Sequence, residues 1–90
     1  MYRYEIAPSL QKELIVLSRR DPVLYEAAVK KMAQIARCEN PHHYKNLRHN
    51  MKEHKRAHVK RHFVILFRVD DAERLIFFEC LDHHGNVYLR

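Results

Sequence analysis

Seven lysines and arginines fall between Lys45 and Arg61, opposed there only by Glu53, and Tyr44 and several of the chain's eight histidines are interleaved with them. A cation laid beside a polyanion releases condensed counterions, and an aromatic or imidazole ring stacks on an unpaired base. The stretch therefore has the composition of a phosphate-binding face, with Lys45, Arg48, Lys52, His54, Lys55, Lys60 and Arg61 as its candidate RNA contacts. A solvated loop of a basic protein would carry the same charge. Strand periodicity favours the first reading, because it sets His54, Arg56 and His58 on one side of a strand and Lys55, Ala57 and Val59 on the other.

Imidazoles on such a face suggest proton transfer. With an unperturbed pKa of about 6.5, one histidine can take a proton near neutrality while another gives one, as cleavage of RNA through the ribose 2′-hydroxyl requires. His58 and the pair His83, His84 are the candidates. Tyr88 is open to three readings: a core plug, a platform for a base, or a proton donor. The adjacent pairs His42, His43 and His83, His84 invite a metal site. The chain, however, has no HExxH and no close cysteine pair, and neighbouring residues on a strand point apart, so neither metal ligands nor a cofactor are expected.

These groups must be held by short elements. Residues 2–7 alternate Tyr2, Tyr4 and Ile6 against Arg3, Glu5 and Ala7, which predicts a strand with one buried face, stopped by Pro8. Ser9 then caps a helix running from Leu10 to about Arg19, with Leu10, Leu14 and Leu17 as its apolar stripe and Gln11, Lys12 and Ser18 in water. Asp21 and Pro22 restart the chain as a second helix on Leu24, Ala28, Met32 and Ile35, ending by Asn40 and Pro41. Residues 41–53 lack a period and read as a loop anchored by Leu47 and Met51. The basic strand follows to Val59, then a turn at Lys60 and Arg61. An apolar strand starting at Phe63 comes next, covered on both faces and broken by Arg68, which must reach solvent or a partner such as Glu79. An acidic turn at residues 70–73 and a strand from Leu75 to Leu81 complete an antiparallel meander.

The expectation is one α+β domain over residues 1–90. Its small antiparallel sheet of about four strands, in the order β-α-α-β-β-β, has a two-helix hairpin packed on one face. Lysine and arginine outnumber aspartate and glutamate by 17 to 11, and the pI near 9.6 suits an acidic partner, whether nucleic acid or protein. Cys38 and Cys80 are too far apart in sequence to suggest a disulfide framework and read as reduced, mostly buried thiols. No leader or membrane-spanning run stands out, so a soluble, cytoplasmic protein is expected.

The run Tyr44, Lys45, Asn46, Leu47, then Lys52, Arg56, Ala57, His58 and Val59, followed by FVILFRVD and IFFECLDHHGNVY, resembles the RelE/ParE toxin superfamily of type II toxin-antitoxin systems. The archaeal RelE-like and YafQ-like branch is the nearest in pattern. The resemblance implies a ribosome-dependent mRNA endonuclease, an mRNA interferase, that cuts mRNA in the decoding site. It also implies neutralisation by a cognate acidic, RelB-like antitoxin, no membrane, and no DNA except through the antitoxin complex. Position by position, His58 falls on the strand histidine of acid-base work, His84 on the C-terminal catalytic histidine, with His83 in reserve, Tyr88 on the terminal aromatic, and Arg56 on a basic position that neutralises the phosphate. The chain departs from the family pattern at Val64, where RelE members often have Arg, and at His62, where YafQ-like members have Asp. A ParE-like gyrase inhibitor and an inactive remnant that binds RNA or antitoxin share the same fold and are the alternatives.

Overall fold

A computed structural model describes residues 2–44 and 54–83. Along the chain come β1 (Arg3–Ile6), α1 (Pro8–Arg20), α2 (Pro22–Arg37), a 3₁₀ turn (Pro41–His43), β2 (Lys55–Val59), β3 (Phe63–Asp70) and β4 (Leu75–His83). The helices form where apolar residues recur at helical spacing. Leu10 and Leu14 are buried on α1, as are Leu24, Ala28, Met32 and Ile35 on α2. Asp21 caps α2 by accepting from the Leu24 N–H at 3.1 Å, and Pro22 takes the first helical position, where its missing N–H costs nothing. The start of α1 differs from expectation. Ala7 is at the cap, no side chain closes it, and Pro8 opens the helix that it was expected only to precede.

The sheet order is β1-β4-β3-β2. The last three strands form the expected antiparallel meander, but β1 pairs with β4 in parallel, Arg3 opposite Leu75 and Ile6 opposite Phe78. The sheet is thus mixed, which corrects the all-antiparallel expectation. The helical hairpin carries the chain across one face to β2 at the far edge, and the meander then reverses direction twice, so β4 runs the same way as β2 and lies parallel to β1. Being an edge strand also leaves Tyr4 57 % exposed, where the alternation had placed it in the core.

One face of the sheet packs on the helices through Ala57, Val59, Ile65, Phe67, Ile76, Phe78 and Leu81. Val64 and Leu66 are also fully buried, on the opposite face, with Cys80 against them. The unbroken apolar run of β3 is explained by this burial on both sides. The β3–β4 register shifts at an irregularity in β4. Phe67 pairs with Phe78 and Leu66 with Cys80, so Glu79 is the extra residue of a β-bulge. Among the described residues no helix is long and apolar enough to cross a membrane.

Candidate nucleic-acid interface

β2 is an edge strand, and its alternation is the expected one from Lys55 onward. Lys55, Ala57 and Val59 are buried toward the helices, while Arg56 is half-buried and His58 exposed on the other face. In register, His58 pairs with Val64 and Val64 with Asp82, so His58 and Asp82 stand in one row across the sheet, about 10 Å apart at their backbones. Where β2 borders α2, an open cleft of about 470 Å³ is lined by Lys31, His43, Tyr44, Arg56, Ala57 and His58. Tyr44 anchors one wall. Its ring meets Phe67 edge-on at 5.6 Å and carries the His43 ring at 4.2 Å, and burial raises its phenol above the ordinary value.

Two expected RNA contacts are placed differently. His54 is 8 % exposed, and its Nε2 lies 2.5 Å from a Glu79 carboxylate oxygen. The other Glu79 oxygen accepts from Arg68 Nε at 2.9 Å. The bulge thus turns a carboxylate toward the His54 and Arg68 side chains, on the face that also bears Arg56 and His58. The Arg68 partner was legible in the sequence; the commitment of His54 to the same carboxylate was not. Lys55 is the second correction. It is 9 % exposed on the helix side, with its ammonium 3.4 Å from the Tyr44 carbonyl, and desolvation lowers its pKa, opposed by the nearby charge of Asp71. Strand alternation directs it away from the face of Arg56 and His58.

Lys60 and Arg61 are exposed in the β2–β3 turn, where Lys60 takes a left-handed conformation with φ 58°. His83 is exposed too, but alternation puts it on the helix side with Leu81 and Phe63, and its ring meets Phe63 edge-on at 5.5 Å. It is therefore two strands from His58 and on the opposite face, and the structure does not bring these two together. Lys45, Arg48, Lys52, His84 and Tyr88, with the loop anchors Leu47 and Met51, lie outside the described residues. Residue-level reasoning missed Asp82 and Lys31. For Lys31 a signal existed: it follows Ala28 by three and precedes Ile35 by four, which puts it on the margin of the α2 stripe that packs on β2.

At the other end of the sheet a polar cluster ties the chain together. Asp71 accepts from Tyr2 Oη at 2.9 Å and lies 2.8 Å from His42 Nε2, and the Arg74 guanidinium sits 4.3 Å over the Tyr2 ring. The hydrogen bond from His42, then that from Tyr2, holds the Asp71 carboxyl below its ordinary pKa.

The fold and this basic edge define a small α+β domain with a helical hairpin on a four-stranded sheet, and known proteins share both sequence and fold with it. A Methanocaldococcus jannaschii protein named as the toxin RelE4 is 48 % identical over 88 residues, covering 98 % of this chain and 92 % of its own. The toxin-antitoxin complex RelBE2 of Mycobacterium tuberculosis has a chain that superposes with TM-score 0.73 at 22 % identity, over 91 % of this chain and 90 % of that one. YafQ of Escherichia coli superposes with TM-score 0.69 at 16 % identity, over 98 % and 99 %. No family model matches. The chain belongs to the RelE family of type II toxin-antitoxin toxins.

Proposed function

We propose that this RelE-family chain is a metal-independent mRNA endonuclease acting in the ribosomal decoding site. The observation that carries the reading is Arg56 and His58 side by side on one face of an edge strand, at an open cleft to which α2 adds Lys31. In the reaction a ribose 2′-hydroxyl attacks its own 3′ phosphate and the bond to the 5′ oxygen breaks. The products are a 2′,3′-cyclic phosphate and a 5′-hydroxyl. One of His58 and His84 takes the 2′ proton and the other supplies a proton to the departing oxygen. Arg56, with Lys52 or Arg61, neutralises the crowded phosphorane, and Tyr88 stacks on or orients the substrate. Positioning and charge supply most of the acceleration.

The partner is a cognate acidic antitoxin. Its apolar segment would lie in the groove lined by Tyr4, Leu14, Ile15, Tyr25, Val29 and Met32, where Tyr4, Ile15 and Val29 are exposed. Its acidic residues would cover the basic edge. The mycobacterial relative, solved as a toxin-antitoxin complex, supports the choice of occupant.

The test is cleavage of mRNA on programmed ribosomes by the purified chain, with a chelator present. Cyclic phosphate and 5′-hydroxyl ends are expected, and His58→Ala should slow cleavage about 10²- to 10⁴-fold. Undiminished cleavage by a His58→Ala, His84→Ala double variant would overturn the mechanism.

A further inference from the structure

Three elements that are distant in sequence converge on the cleft beside β2. Helix α2 contributes Lys31, the 3₁₀ turn and the residue that follows it contribute His43 and Tyr44, and the edge strand contributes Arg56. The ring pair is built to stay in place. Tyr44 is half-buried against Phe67, its backbone N–H donates to the Pro41 carbonyl at 3.2 Å, and His43 Nδ1 lies 2.8 Å from the Asn40 carbonyl. His43 is exposed, and its ring lies 4.2 Å from the Tyr44 phenol with the two planes tilted by 33°.

From this arrangement, and resting on the endonuclease reading above, we infer that Lys31, His43 and Tyr44 form a nucleotide subsite for single-stranded RNA next to the scissile phosphate. Lys31 and Arg56 hold a backbone phosphate, and the base stacks on His43. The chemistry that selects RNA over an acidic peptide is the combination. Cations spaced along an edge attract either polyanion, whereas an exposed ring held in place adds stacking only when the ligand also has planar groups. Lys31 comes from a helix, so the subsite includes a cation outside the basic run from Lys45 to Arg61.

The probe is a fluorescent hexanucleotide made entirely of 2′-O-methyl RNA, which transesterification cannot cut. It is titrated with the full chain at pH 8 over a range of salt. Removing one phosphate contact on a single strand flattens the dependence of log affinity on log salt by about 0.7. Lys31→Ala should show that flattening with a loss of affinity of roughly threefold or more at low salt. Lys30→Ala removes the same charge from the neighbouring exposed position on α2 and should leave the slope unchanged. His43→Leu should weaken binding about fivefold or more with no change in slope, and His43→Phe, which keeps a ring, should restore it.

Identical behaviour of Lys31→Ala and Lys30→Ala overturns the subsite while leaving the endonuclease reading in place. Loss of polyglutamate binding by Lys31→Ala, with the oligonucleotide unaffected by His43→Leu, overturns it in favour of an acidic peptide. Failure of the parent chain to hold the oligonucleotide also overturns it, and cleavage on programmed ribosomes decides the parent reading separately.

Discussion

Removing the Glu79 carboxylate should cost more stability through His54 than through Arg68, although Glu79 meets both. The side chains of His54, Glu79 and Arg68 are 11 %, 27 % and 45 % exposed, and the two contacts are 2.5 Å and 2.9 Å. The Arg68 pair is close to solvent, so screening and side-chain entropy reduce it to the surface range, about 0.2 to 1 kcal/mol. The His54 contact is shielded. Its Nδ1 is buried and makes no hydrogen bond among the described residues, so loss of the carboxylate strands a second imidazole nitrogen of a buried side chain. A charge-assisted bond and the desolvation of a stranded group are each worth about 1.5 to 3 kcal/mol and 1 to 3 kcal/mol, with heavy overlap between them. Glu79→Ala should therefore lose about 2 to 3 kcal/mol in urea unfolding. The discriminating assay is a pair of double-mutant cycles. The coupling of Glu79→Ala with His54→Ala should reach about 1 to 2 kcal/mol, and that with Arg68→Ala should stay below about 1. Equal couplings, or a His54 coupling under about 0.5 kcal/mol, would refute the view that the bulge anchors the entry to β2.

Phe67 lies fully buried beneath Tyr44 and against Phe78, so Phe67→Ala should lose about 3 to 5 kcal/mol in chemical denaturation; a loss under about 1 would contradict that packing. Asp71 has its folded pKa depressed below the ordinary 3.8 by His42 and Tyr2. The stability that it contributes is present above that value and disappears as pH falls through the folded pKa, so the melting temperatures of the parent and Asp71→Asn should converge as pH drops from about 5 toward 2. A constant gap would show that the contribution does not titrate. Lys55→Met should leave the salt slope of RNA binding within about 0.2 of the parent, since the ammonium points toward the helices; a slope reduced by about 0.7 would return Lys55 to the interface.

The helices were readable because their information is local. Leu10, Leu14 and Leu17 on α1, and the Asp21, Pro22 start of α2, encode period and boundary within a few residues. The β2 alternation was readable for the same reason, and so was the two-sided burial of β3 from its unbroken apolar run. What escaped depends on pairings between distant residues. No local pattern says that β1 lies parallel to β4, and with that pairing went the exposure of Tyr4. The bulge at Glu79 is an offset between two registers, invisible in either strand alone, yet it decides that His54 is a buried partner of a carboxylate. Alternation along β4 could have separated His83 from the His58 face, had the strand been extended two residues past Leu81. Lys31 escaped because it is a single cation on a helix, outside the basic run of residues 45–61.

The central claim is that this RelE-family toxin arrests cells by cutting translated mRNA at the face bearing Arg56 and His58. The most direct measurement is induction of the chain without an antitoxin, beside its His58→Ala variant, with transcriptome-wide mapping of mRNA 5′ ends. The account predicts growth arrest with new 5′-hydroxyl ends inside translated codons, and loss of both in the variant. Arrest without new ends, or new ends that persist undiminished in His58→Ala, would contradict it.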